Sequence, residues 1–210
     1  MKGFDYLKLV IWKINFLVLK IFHYKTSIKG HCCTWNTTIK DKGSNNTIRT
    51  GKHVILKDCH FLFEGNNHQV ILGSNIILEG ITFELAKDSS VITVGDGTWL
   101  GRGCFLTAQE NTCLCIGENT IVAKNCAIKT SDSHYIYDSL GREINKPASI
   151  KIGNHVWIGE SSFVLKGSII ENGCIIGARS LVTESISHEP NCIYVGTPAK
   201  LCKKNINWKL

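Results

Sequence analysis

Eight histidines occur in this 210-residue chain, and one of them, His134, lies in a run of side chains suited to acid–base chemistry, SDSHYIYD. An imidazole titrates near neutrality, so it can take a proton from a hydroxyl and later give it back. His134 is therefore the candidate general base. Asp132 or a backbone carbonyl is placed to orient its second ring nitrogen, and Asp132 equally suits the cap of a turn; the sequence leaves both open.

The elements that must position this stretch are written on either side of it. From Ile150 onward, aliphatic residues recur every six positions, at Ile152, Ile158, Val164, Ile170, Ile176 and Val182. Two residues before each stand Ile150, Val156, Ser162, Ser168, Cys174 and Ser180, mostly small. Upstream the hexads continue with a spacing of 22: Thr50, Leu72, Val94 and Ile116 form one column, and Leu56, Leu78, Leu100 and Val122 a second. Leu62, Glu84, Leu106 and Ile128 form a third column, broken by Glu84. Three hexads take 18 residues, so a 22-residue spacing implies extra residues at one corner of each turn. The pattern predicts a triangular solenoid of parallel β-strands, with aliphatic residues filling the interior and six turns between Thr50 and Val182.

The rhythm stops at Ile128 and resumes at Ile152, a gap of 24 residues where earlier turns have 10. One corner has grown into a long loop, and His134 alone among the histidines lies in it. Long loops on rigid scaffolds are where binding and catalytic groups concentrate.

The strings IGNHVWIGESSFVLKGSIIENGCIIGARSLVTESI and VGTPAK, with SDSHYIYD, resemble the hexapeptide-repeat acyltransferase family. The resemblance covers roughly residues 50 to 202, is densest from Ser131 onward, and is closest to the O-acetyltransferases of capsule, sialic acid and other polysaccharides. It implies a left-handed parallel β-helix, although the usual rule for parallel crossovers would give a right-handed one. It further implies transfer of an acetyl group from acetyl-CoA, without a metal, to a hydroxyl of a carbohydrate acceptor such as a bacterial surface polysaccharide. His134 then removes the hydroxyl proton. Trp157 matches a family position close to the thioester. Backbone amides around Gly159 and Ser161 are candidates to receive the pantetheine amides or the developing oxyanion. By the resemblance, Gly177, Ala178 and the VGTPAK segment are expected to line the path of coenzyme A, with Arg179 and Lys200 as candidates to meet its phosphates. Tyr135, Tyr137 and Arg142, with Asp132, fall to the acceptor side, since aromatic faces suit sugar rings and a guanidinium suits an acidic sugar. The resemblance also implies a homotrimer, with the His134 loop facing an adjoining subunit.

Other functions on such a scaffold leave distinct marks. Acetylation of the amine of a nucleotide-linked amino sugar is the nearest alternative. A zinc lyase needs three convergent histidines, and the H-x4-H spacing of that kind of site is absent. A non-catalytic solenoid would have no use for His134.

Bulk composition agrees. Nineteen Gly against three Pro suit repetitive β structure. The net charge of +7, from 24 Lys and Arg against 17 Asp and Glu, suits an anionic partner. The basic residues are scattered and no nucleic-acid-binding motif occurs, which argues against nucleic acid. The ten cysteines show no paired framework, and Cys104, Cys126 and Cys174 fall where a small apolar residue should point inward. They read as free core thiols of a cytoplasmic protein.

Residues 1–28 read as an N-terminal helical segment, 29–190 as the β-helix with its loop at 129–150, and 191–210 as a C-terminal segment. Leu7, Val10, Ile11, Ile14, Val18, Ile21 and Phe22 recur at helical spacing. Lys8, Lys13 and Lys20 interrupt the run, so it is too broken to span a bilayer. It suits a helix packed on the domain or, as the sharper alternative, peripheral contact of residues 1–25 with the inner membrane surface.

Overall fold

The computed structural model describes residues 26–184 and 189–209. The expected N-terminal helix lies outside the described residues. Every described element is a β-strand, and the chain winds as a left-handed parallel β-solenoid of three sheets. The first coil is β1 (Ser27–Lys29), β2 (Cys32–Trp35) and β3 (Thr38–Asp41). The second is β4 (Thr47–Thr50), β5 (Val54–Lys57) and β6 (His60–Glu64), and the third β7 (Gln69–Leu72), β8 (Ile76–Glu79) and β9 (Thr82–Ala86). The fourth is β10 (Val91–Val94), β11 (Trp99–Leu100) and β12 (Phe105–Gln109), and the fifth β13 (Cys113–Ile116), β14 (Ile121–Val122) and β15 (Ala127–Lys129). After the long loop follow β16 (Ile150–Ile152), β17 (Trp157–Ile158) and β18 (Phe163–Leu165), then β19 (Ile169–Ile170), β20 (Ile175–Ile176) and β21 (Leu181–Val182). Two last strands, β22 (Ile193–Gly196) and β23 (Ala199–Lys203), form an antiparallel hairpin on the end of the second sheet. First strands of successive coils make one face (sheet A), second strands another (sheet B) and third strands the last (sheet C).

There are thus seven coils, one more than the spacing predicts, because β1 to β3 precede Thr50. The columns in sheets A and B stand as expected: Leu72 pairs with Val94, Val94 with Ile116, and Ile116 with Ile152. In sheet C the early register differs. Glu84 pairs with Leu62 on one side and with Thr107 on the other, outside the prism, while the interior column runs through Phe61, Phe83, Leu106, Ile128, Val164 and Val182. The step from Phe83 to Leu106 is 23 residues, because the corner between sheets B and C gains a residue in the fourth coil. The interior is therefore continuous, and Glu84 interrupts nothing. Its half-buried carboxyl lies outside and is held above the usual carboxylate range by desolvation and by Glu64.

The core is a stack of aliphatic rungs, with Phe61 and Phe83 stacked at 4.8 Å and fully buried. All ten cysteines are free. The inward thiols give their protons to carbonyls of neighbouring turns: Cys104 Sγ to Ala123 O (3.0 Å), Cys126 Sγ to Gly159 O (3.2 Å) and Cys174 Sγ to Glu189 O (3.1 Å). At the corner between sheets A and B each coil turns through one residue with positive φ, including His53, Asn75, Gly97, Asn119 and His155. Asn and Gly adopt that conformation at little cost.

Candidate functional site

The long loop leaves sheet C after Lys129 and enters sheet A at Ile150, at the corner shared by those two sheets. Residues 136–144 form a small hairpin: Ile144 N–H donates to Ile136 O (2.9 Å), and Tyr137 and Glu143 form an antiparallel bridge. At its tip Asp138 accepts from the N–H groups of Leu140 and Arg142 and from Arg142 Nε, the last at 2.8 Å. Those bonds, the Arg142 N–H first, hold the Asp138 carboxyl below its ordinary range. Arg142, expected on the acceptor side, is thus tied to its own hairpin.

His134 stands at the entry to this hairpin with its side chain exposed. The backbone around it is fixed by one amide: Asn145 Nδ2 donates to His134 O (2.8 Å), and Ile136 N–H donates to Asn145 Oδ1 (2.7 Å). Asn145 Nδ2 also donates to Asp132 Oδ2 (2.9 Å). Lys166, at the corner following β18, donates to Asp132 Oδ2 and to Asn145 O (2.7 Å). The Lys166 hydrogen bond, then that from Asn145, holds the Asp132 carboxyl below its usual value. Asp132 Oδ2 is therefore engaged within the loop. On the far side, Lys87 donates to the Tyr135 hydroxyl, sits 4.1 Å from its ring centroid and pairs with Glu110, while Tyr135 and Tyr137 lie 6.4 Å apart, both exposed. Gln109 Nε2 reaches Ser133 Oγ at 3.3 Å. The loop is gripped from the third, fourth and sixth coils at once.

The residues expected to meet coenzyme A gather at a different corner, between sheets B and C. Gly159 and Ser161 lie on the sixth coil, and Gly177, Ala178 and Arg179 lie one coil later. Ser161 and Arg179 occupy the same corner position in successive coils, with φ of 59° and 57°. Arg179 is exposed, and its carbonyl accepts from Thr197 Oγ1 (3.4 Å) in the turn of the final hairpin. Lys200, also exposed, pairs with Val195 on that hairpin. The N–H of Gly159 donates to Ile176 O (2.7 Å) and that of Ser161 to Lys124 O (3.0 Å), so both are taken by the stacking of coils and neither is offered to a ligand. Gly159 and Gly177 are also small for internal reasons: a Cβ on Gly159 would lie 2.4 Å from Ala178 N, and one on Gly177 2.6 Å from Val195 Cγ1.

Trp157 projects outward from sheet B and is 42% exposed. The C-terminal residues fold back beside it. Trp208 stacks on His155 at 4.0 Å with an interplanar angle of 5°, its carbonyl lies 3.0 Å from His155 Nε2, and its ring is 6.1 Å from that of Trp157. Asn145, Lys166 and Trp208 are thus neighbours of the expected residues that sequence reasoning missed. Lys166 left one trace, a charged residue at a corner of the coil that follows the loop; Asn145 and Trp208 left none.

The expected residues therefore form two groups on opposite edges of sheet C, with Trp157 on sheet B. A cavity of about 560 Å³ lined by His31, Cys33, His53, Val54, Ile55, Asn75 and Ile77 lies on the first three coils, away from both groups. Among the described residues no three His, Cys, Asp or Glu side chains converge as a metal site would require.

Residues 149–184 match the family model described as bacterial transferase hexapeptide (six repeats). Among curated proteins, the putative lipopolysaccharide biosynthesis O-acetyl transferase WbbJ of Escherichia coli K12 is 46% identical over 57 residues, 27% of this chain and 28% of that protein. A chloramphenicol acetyltransferase of Klebsiella aerogenes is 48% identical over 59 residues, 28% of this chain and 27% of that protein. The chain thus spans under a third of the length of these curated relatives. Solved structures match far more of it. The polysialic acid O-acetyltransferase OatWY superposes with a TM-score of 0.83 and 28% identity over 88% of each chain. The polySia-specific acetyltransferase NeuO does so with a TM-score of 0.75 and 25% identity over 89% of each chain. Residues 149–184 thus carry the hexapeptide repeat of bacterial transferases, and the solenoid as a whole is similar in fold to the polysialic acid O-acetyltransferases OatWY and NeuO.

Proposed function

We propose that the protein moves an acetyl group from acetyl-CoA to a hydroxyl of a sugar in a bacterial surface polysaccharide, with His134 as general base. One observation carries this reading: an exposed histidine in the long corner loop that interrupts the repeat between Lys129 and Ile150, on a solenoid similar to polysialic acid O-acetyltransferases over most of its length.

In this mechanism His134 takes the hydroxyl proton as the oxygen attacks the thioester carbonyl carbon. The carbon–sulfur bond then breaks, and the imidazolium returns its proton to the departing thiolate. Negative charge on the carbonyl oxygen needs a donor at the moment of attack. With the Gly159 and Ser161 N–H groups engaged elsewhere, the exposed Trp157 indole is the donor that this reading assigns. Arg179 and Lys200, both exposed and joined through the final hairpin, serve the phosphates of coenzyme A. Tyr135 and Tyr137 offer faces to an acceptor sugar.

The separation of the two groups across sheet C supports a homotrimer in which the loop of one subunit completes the thioester end of the next. Sheet B supports it too: Ile55, Ile77, Trp99 and Trp157 stand on its outer face and are 42–57% exposed. Apolar stripes of this extent on a soluble surface mark contacts with a partner. The proposal keeps the enzyme in the cytoplasm, with residues 1–25 as a helix packed on the domain or, alternatively, in peripheral contact with the inner membrane surface.

The test is turnover of acetyl-CoA with a panel of acidic and neutral capsular polysaccharides, with a nucleotide amino sugar alongside. His134→Ala should lower acceptor-dependent release of coenzyme A by about 10²–10⁴-fold. An undiminished rate in that variant overturns the assignment, and a preference for the amino sugar moves the reaction from oxygen to nitrogen.

A further inference from the structure

We propose that Asn145 and Lys166 are positioning residues for the His134 base, acting on the backbone that carries it; the inference rests on the reading of His134 above. A base on a loop is useful only if its ring is held within a fraction of an ångström of the attacking hydroxyl. In a solenoid coil the neighbouring rungs supply that rigidity, since each strand is bonded to the coil before and after it. The loop has no such neighbour at His134.

A single side chain takes the place of the missing strand. Asn145 gives Nδ2 to the carbonyl of His134 (2.8 Å) and takes the N–H of Ile136 on Oδ1 (2.7 Å), so it fixes the peptide groups on both sides of Tyr135 and the carbonyl of the base itself. The task demands a donor and an acceptor on one flat group, which among side chains of this length asparagine alone supplies. The third bond of Asn145, to Asp132 Oδ2 (2.9 Å), links the entry of the loop to its exit.

Lys166 connects this bracket to the scaffold. It follows Leu165, which pairs with Lys129 in sheet C, and its side chain is 18% exposed. Its ammonium bonds both the carboxylate of Asp132 and the carbonyl of Asn145, the two ends of the bracket. Charge-assisted bonds of this kind, with the lysine stem largely buried, are stiffer than exposed surface pairs. Asp132 then serves as an anchor of the loop, and its assignment to the acceptor side falls away.

The experiment measures kcat and KM for acetyl-CoA in the full-length protein for Asn145→Ala, Asn145→Asp, Lys166→Met and Lys166→Arg, each also combined with His134→Ala. Asn145→Ala and Lys166→Met should lower kcat about 10- to 100-fold with KM for acetyl-CoA unchanged, the cost of a base displaced by about an ångström. Asn145→Asp should do no better than Asn145→Ala, because a carboxylate cannot donate to His134 O and repels Asp132. Lys166→Arg, which keeps the charge and the donors, should recover most of the rate. On the His134→Ala background none of the four should lower the residual rate further. Full kcat in Asn145→Ala overturns the proposal, as does a loss confined to KM, an undiminished effect on the His134→Ala background, or Lys166→Arg failing as badly as Lys166→Met. Thermal unfolding separates a misfolded variant from a displaced base, and hydrogen exchange at residues 133–137 should accelerate in Lys166→Met even where activity is too low to measure. If His134→Ala itself stays active, the catalytic reading fails; if it is inactive while Asn145→Ala is normal, the bracket alone fails.

Discussion

The coils and the loop are built on opposite economies of contact. In the coils the same bond recurs at the same place: Gly51 N–H to Leu72 O, Gly73 to Val94, Gly95 to Ile116, Gly117 to Ile152 and Gly153 to Ile170, all at 2.8 or 2.9 Å. The fourth of these skips the whole long loop, so the ladder passes under it undisturbed. The loop repeats nothing. It stands on a few particular side chains, Asn145, Lys166, Asp138 and Lys87, and leaves Tyr135, Ile136, Tyr137, Leu140 and Ile144 exposed, whereas Phe61, Phe63 and Phe83 in the coils are fully buried. Redundancy in the coils holds the fold, and singular contacts in the loop hold the candidate site. The difference teaches that stability and activity should come apart cleanly under mutation.

The sharpest division comes from the core. Phe83→Ala removes a ring stacked between coils and should cost about 3–5 kcal/mol in urea unfolding; a cost below about 1 kcal/mol would mean the rungs are not the source of stability. Gly159→Ala brings a methyl against the backbone of Ala178 and should cost about 1–3 kcal/mol through forced separation of two coils. Arg142→Ala removes a largely exposed partner of Asp138 and should shift the midpoint by no more than a surface pair does, about 0–1 kcal/mol. Acid should act on the same two loop anchors. Asp132 and Asp138 have carboxyls held below their ordinary range, so their contribution is complete above that range and is lost as pH falls through the lowered values. Amide exchange in the loop should therefore rise below about pH 4, the ordinary carboxylate range, while far-UV circular dichroism of the coils stays constant. Last, His134→Ala should leave the unfolding midpoint unchanged; a large shift would show that the loop and the coils share stability after all.

The sequence carries the later coils almost in full, because six uninterrupted hexads admit one register. Earlier coils are harder to read. Leu62 and Glu84 look like members of the interior column, yet Phe61 and Phe83 fill it, and one extra residue at the corner before Phe105 restores the hexad phase. Periodicity fixes a face only while corner lengths stay constant. The same limit applies at the site. His134 is legible as a candidate because an interruption in a repeat is itself a signal. The contacts of its loop are not, since Lys166 and Asp132 lie 34 residues apart and meet through the winding of the chain, without any local pattern. Gly159 teaches the converse: a small residue beside an expected ligand path can be small because another coil presses on it.

The final hairpin has a consequence for how copies of the molecule meet end to end. A parallel solenoid finishes in raw strands that could continue into another molecule's first coil, and stacking of that kind grows into filaments. Here β22 extends sheet B, and β23 runs back antiparallel against it with Lys200 and Lys203 along the outermost edge. Reversed direction and positive charge make that edge a poor template for another parallel rung. On sheet B the hairpin therefore covers the edge that a further parallel coil would need, and a chain shortened before Ile193 should assemble lengthwise more readily than the intact one, as light scattering would read.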